Sequence, residues 1–172
     1  IAGDYSQMGL VKTDSQGNTE WITDLPGDRF TSVQQTPDSG YIAAGHGYSY
    51  INGYNSNNIR LVKTDQNGDT LWTKSHGSPT STYDYAYSLD QTYDNGYVVV
   101  GSSTLYSYNQ NSQIFMIKTD ENGDSLWTRS IETTHSGGYG YSIQETNDYG
   151  FIIYGYYSNQ TYVIKTNSLG EQ

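Results

Sequence analysis

The chain contains no cysteine, which excludes disulfides and thiolate chemistry and leaves the compartment open. Basic residues are few: eight Lys and Arg stand against eighteen Asp and Glu, for a net charge of -10. A pI near 4.4 argues against a nucleic-acid partner, whose phosphates reward basic clusters. No stretch approaches the roughly 18 apolar residues of a membrane helix, so no membrane span is expected. Leu, Ile, Val and Phe are scarce, and mean hydropathy is -0.73. Such a composition leans toward disorder. Two features oppose that reading. Aromatic residues make up 15% of the chain, with 19 Tyr and 3 Trp, and these bury large areas. The apolar residues are also periodic, which indicates a folded, Tyr-rich domain with a polar surface.

Internal repetition organises the 172 residues. One phrase, KTDQNGDTLWTKS from Lys63, recurs as KTDENGDSLWTRS from Lys118, as KTDSQGNTEWITD from Lys12 and, cut short, as KTNSLGEQ from Lys165. A second phrase lies between the copies. It reads SVQQTPDSGYIAAG from Ser32, SLDQTYDNGYVVVG from Ser88 and SIQETNDYGFIIYG from Ser142. One unit of about fifty residues therefore holds both phrases.

Each unit holds four strand-like pieces. In the first full unit these are a run ending at Thr36, then Tyr41 to Gly45, Ile59 to Asp65 and Asp69 to Ser75. Asn67-Gly68 predicts a two-residue hairpin with positive φ at both turn positions. Gly40, Gly96 and Gly150 are expected to supply the left-handed residue of the other hairpin. Nothing carries a helical period. Four antiparallel strands in a repeat of this length predict an all-β chain of β-propeller-like blades. The expected division is a partial blade over 1–24, blades over 29–75 and 83–131, and a partial blade over 139–172. A β-sandwich is the runner-up. Counting Ile1-Ala2-Gly3 as a strand gives about fourteen strands, or three and a half blades.

The phrases LVKTDQNGDTLWTKS and SLDQTYDNGYVVVGSS resemble the repeat of secreted bacterial and archaeal propeller-like surface proteins. The resemblance covers essentially the whole chain and implies an extracellular, secreted or cell-surface location. The spacing of Asp65, Gly68 and Trp72 is also similar to the tryptophan-docking motif of quinoprotein propellers, which has one more residue before its glycine.

A propeller ring must close. Three and a half blades would leave apolar faces and strand edges open. The chain is then expected to be part of a longer one with further blades, to complete a ring with other copies, or to join head to tail as a fibre. The chain also opens inside a repeat, at Ile1, as a processed or truncated start would. The distance from the Gly that ends the second strand to the Lys is 9 in the first copy (Gly3 to Lys12) and 10 in the last (Gly155 to Lys165). In the middle copies it is 18 (Gly45 to Lys63) and 17 (Gly101 to Lys118). The short end loops suit ends that meet.

Catalytic signatures are missing: there is no Gly-x-Ser-x-Gly elbow, no phosphate loop and no Cys–His pair. The expectation is a protein that is not an enzyme, with a fragment of a propeller glycosidase or lyase as a distant alternative. Asp65-x-Asn67-x-Asp69 and Asp120-x-Asn122-x-Asp124 look like the start of a calcium loop, but Gly68 and Gly123 come where a hairpin needs them and no bidentate Glu follows. They read as polar turns. No cofactor is expected, with calcium at an assembled site left open. His46, His76 and His135 lack metal-ligand spacing and read as exposed loop imidazoles.

Tyrosine is the richest signal. Tyr48, Tyr50 and Tyr54 fall in one long loop, and Tyr106 and Tyr108 in the matching one, both rich in Ser, Asn and Gln. Flat rings beside amides suit a sugar ligand or a protein interface. Asn159 begins the only glycosylation sequon. Lys63 and its equivalents read as solvated lysines whose stems cover an aromatic ring. Trp21, Trp72 and Trp127 read as packing anchors. Together these features point to a non-catalytic structural or adhesive module that self-assembles as a homo-oligomer or fibre. The alternative is a module that binds a glycan or another surface ligand.

Overall fold

The recurring phrases fold into antiparallel strand pairs. A computed structural model describes residues 9–25, 28–51, 54–77, 81–105, 112–131, 137–157 and 160–172. The strands are β1 (Gly9–Thr13), β2 (Thr19–Asp24), β3 (Asp28–Gln35), β4 (Tyr41–Ile51), β5 (Tyr54–Thr64), β6 (Thr70–His76), β7 (Ser81–Gln91), β8 (Tyr97–Leu105), β9 (Ser112–Thr119), β10 (Ser125–Ile131), β11 (Gly138–Glu145), β12 (Phe151–Tyr157) and β13 (Gln160–Thr166). The chain is all-β, and no helix occurs among the described residues. Ile1 to Gly3, expected as a strand, lie outside them.

Each repeat is an antiparallel meander. Strands β3-β4-β5-β6 pair in order, as do β7-β8-β9-β10. A single parallel bridge, Asn57 to Tyr83, joins these two meanders into one eight-stranded sheet. Strands β11-β12-β13 form a three-stranded sheet and β1-β2 a two-stranded one. The segment read as a long loop around Tyr48, Tyr50 and Tyr54 is instead ladder. Tyr48 pairs with Asn57, Tyr50 with Asn55 and Ile51 with Tyr54. Tyr and Ile favour the pleated conformation, and the backbone N–H and C=O groups of the two arms satisfy one another.

Both hairpin turns differ from expectation. At the Asp65 turn the Gly68 N–H donates to the Asp65 carbonyl at 3.2 Å, and the Asp65 N–H closes the loop by donating to the Asp69 carbonyl at 2.9 Å. Only Gly68 has positive φ, at 85°. The turn is thus a three-residue loop with a glycine bulge rather than a two-residue turn. The Asp65 carboxylate explains this, because it accepts the Asn67 and Asp69 N–H groups and holds the tighter right-handed start. At the other turn the left-handed residues are Ser39, Asn95 and Tyr149, at φ 68°, 66° and 62°. Gly40 and its equivalents are needed for close approach instead. A Cβ on Gly40 would strike the Thr64 carbonyl and come within 2.6 Å of Lys63 Nζ.

The meanders stack face to face. Ile42, Ala44, Ile59 and Leu61 of the first pack against Ala86, Leu89, Tyr97, Val99, Phe115 and Ile117 of the second. The opposite face of the second, with Val98, Val100, Ile114 and Met116, packs against Ile143, Phe151 and Ile153. Alternate residues of β8 and β9 therefore serve two interfaces, which is why VVV is apolar throughout.

Candidate functional site

Two constellations stand out, one repeated and one unique. The repeated one ties neighbouring meanders. Trp72 packs on Tyr97 with ring centroids 6.2 Å apart, and Trp21 and Trp127 meet Tyr41 and Phe151 at 5.4 and 5.9 Å. Each Trp also lies over the turn glycine of the next unit. A Cβ on Gly68 would come within 2.7 Å of the Trp21 ring, and one on Gly123 within 2.7 Å of the Trp72 ring. Gly170 stands in the same relation to Trp127. Hydrogen bonds fix the contact: Trp21 Nε1 donates to the Gln66 carbonyl at 3.2 Å, and Thr23 Oγ1 to the Gly68 carbonyl at 2.6 Å. His76, read as an exposed loop residue, lies in β6 and is half-buried. Its Nε2 meets the Gly123 carbonyl at 2.9 Å, and burial holds the ring below its ordinary pKa.

Lys63 and Lys118 are not solvated as expected; they are 6% and 5% exposed. Lys63 Nζ donates to Asp38 Oδ2 at 2.7 Å and to the Thr64 carbonyl at 3.0 Å. Lys118 Nζ donates to both Asp94 oxygens and to the Thr119 carbonyl, each at 2.9 Å. Lys165 repeats the pattern with Asp148 and Thr166, more openly. The ammonium sits inside because two acceptors at Lys63 and three at Lys118 replace its water. Thr36 and the Gly40 N–H also donate to Asp38. The Lys63 bond, followed by that of Thr36, holds the Asp38 carboxyl down to about 2. At Asp94 burial pushes the pKa up, but bonds from Thr92 and Lys118 outweigh it and the net shift is downward. Because the carboxylates are committed to lysine and backbone, this constellation is a structural clamp. Among the described residues no group of three or more His, Cys, Asp or Glu is placed to hold a metal ion.

The unique constellation lies where the apolar face of the first meander turns polar. Along β4 the buried residues Ile42 and Ala44 are followed on the same face by His46 and Tyr48, and along β5 Ile59 is preceded by Asn57. Arg29 pairs with His46 across β3 and β4. These four, with Gly47 and Tyr85, line a cleft of about 180 Å³. His46, also read as exposed, is half-buried and meets Tyr85 edge to face at 4.6 Å. Burial, and then the Arg29 charge, push its pKa down, so its ring is neutral near pH 7. The buried His46 Nδ1 has no partner among the described residues. Asn57 Nδ2 donates to the Tyr85 hydroxyl at 3.0 Å. Tyr48, at 72% exposure, stands at the rim.

Of the expected tyrosine cluster, Tyr48 alone has a described side chain. Tyr50 and Tyr54 are placed by backbone on β4 and β5. Tyr106, Tyr108, His135 and Asn159 lie outside the described residues. Neither a known family model nor a curated protein matches this chain.

Proposed function

We propose that the chain is a non-catalytic, extracellular β-propeller-type repeat module with a structural or adhesive role, and that it associates with other copies through its terminal sheets. The observation that carries this reading is a face left uncovered. Positions two and four after the turn glycine, and two before the Lys, are Ile42, Ala44 and Leu61 in one meander and Val98, Val100 and Met116 in the next, all fully buried. In the last sheet the same positions are Ile152, Tyr154 and Val163, exposed by 38%, 47% and 69%. Val11, equivalent to the buried Val62 and Ile117, is likewise 60% exposed on the first sheet. A face built like an internal interface fits another sheet of the same kind, and head-to-tail contacts of this type give rings or filaments.

Sedimentation velocity over a wide concentration range tests the idea. Species larger than the 19.2 kDa monomer are expected. Val163→Glu combined with Ile152→Lys should abolish them while leaving the circular dichroism unchanged. A parent chain that stays monomeric at every concentration overturns the assembly reading.

A further inference from the structure

The fold-forming residues recur once per unit, and the cleft residues do not. At the positions of Arg29, His46, Tyr48 and Asn57 the second meander has Tyr85, Ser102, Thr104 and Ser112. That second set is satisfied internally. Ser102 meets the Tyr87 hydroxyl at 3.3 Å, and Thr104 meets Ser112 at 3.1 Å. A cluster that breaks the repeat is not needed to build it.

Charge singles out the same place. The chain has eight Lys and Arg. Seven of them, Lys12, Arg60, Lys63, Lys74, Lys118, Arg129 and Lys165, lie within 2.6 to 3.9 Å of a carboxylate. Arg29 is the one cation without an acidic partner among the described residues. In a chain of net charge -10, acids to pair with it are plentiful. Its guanidinium instead lines a cleft with an unpartnered His46 Nδ1, an amide and a phenol.

We propose that this cleft binds one carboxylate-bearing sugar ring, a uronic acid unit of an acidic glycan. A planar guanidinium matches a carboxylate through two parallel N–H···O bonds. The neutral His46 ring, the Asn57 amide and the Tyr85 hydroxyl offer both donors and acceptors, which is what ring hydroxyls require. The exposed Tyr48 ring supplies a flat apolar face at the rim for the sugar C–H groups. The volume, about 180 Å³, is below the roughly 300 Å³ of drug-sized ligand sites and suits a single ring. The site uses none of the terminal surfaces, so it stands or falls separately from assembly.

The test is calorimetric titration of the 172-residue chain with glucuronate, galacturonate, glucose and acetate at about 0.15 M salt, where the Debye length of about 8 Å screens the protein's own negative field. At least one uronate should bind tenfold or more tighter than glucose and than acetate. Arg29→Gln should weaken that binding at least tenfold, Arg29→Lys should restore part of it, and Tyr48→Ala should weaken it with the fold intact by circular dichroism. Arg29 and Tyr48 are exposed, so none of these changes endangers folding. No uronate binding, equal binding of glucose, equal binding of acetate, or an unaffected Arg29→Gln each overturns the proposal. Sedimentation of Arg29→Gln should match the parent, which separates loss of this site from loss of assembly.

Discussion

Removing the Asp94 carboxylate is the sharpest test of the clamp. In Asp94→Ala the Lys118 ammonium keeps only the Thr119 carbonyl of its three acceptors. Thr92 Oγ1 and the Gly96 N–H lose theirs as well. Stranding a fully buried charge costs about 3–5 kcal/mol. The Asp94 side chain is 58% exposed, so water can enter where it was and lower that figure. About 2–3 kcal/mol is expected, a large share of the 5–15 kcal/mol that holds a typical domain. Lys118→Met keeps the buried stem and removes the charge, and should cost about 1–2 kcal/mol. The double variant should then be less destabilised than the sum of the two, by about 1 kcal/mol or more. Urea denaturation followed by circular dichroism reads all three as shifts of midpoint at constant slope. A shift under about 0.5 kcal/mol for Asp94→Ala is what an exposed pair gives. It would mean that Lys118 is solvated and the burial argument is wrong.

Acid should weaken the same clamp in the first meander. The Asp38 carboxyl has a folded pKa of about 2 against an ordinary 3.8. Its contribution is therefore complete above about pH 4 and is lost as pH falls toward 2. Melting temperatures at pH 5 and pH 2.5 should differ less in Asp38→Asn than in the parent, and equal drops would contradict the linkage. Gly123→Ala places a Cβ against the Trp72 ring at a residue of φ 77°. It should lose about 1–3 kcal/mol, while Ala in place of the open Gly17 should lose only the conformational part, about 1 kcal/mol; equal losses in denaturation would remove the steric claim. Trp72→Ala empties a half-buried contact and should cost about 3 kcal/mol; an unchanged urea midpoint would end its role as an anchor.

Strand order was legible because each phrase recurs at least three times, and because turn glycines and alternating apolar residues mark each edge. Trp72 was legible as an anchor, but its landing place was not. Tyr97 and Gly123 lie 25 and 51 residues further on, and only stacking brings them together. Lys63 was misread for the same reason, since Asp38 precedes it by 25 residues. A signal did exist: Thr-x-Asp at 36, 92 and 146 recurs with every matching Lys, at 63, 118 and 165. Residues that recur together in successive units are candidates for contact. His46 and Arg29 were hidden differently. Their pairing depends on the bulged register of β3 with β4, which shifts between Phe30 and Ser32. Periodicity alone does not predict such a shift.

The ring-over-glycine contact has a genealogical consequence. Each of the two full units carries a tryptophan that reaches forward and a glycine turn that receives the one behind. A unit copied in tandem would therefore arrive already able to join its neighbours on both sides, with no compensating change elsewhere. Stability in such an array adds by nearest neighbours. Gene duplication could lengthen or shorten the array by whole units at little cost to folding, while an unrepeated patch such as the Arg29 cleft is free to diverge in one unit alone.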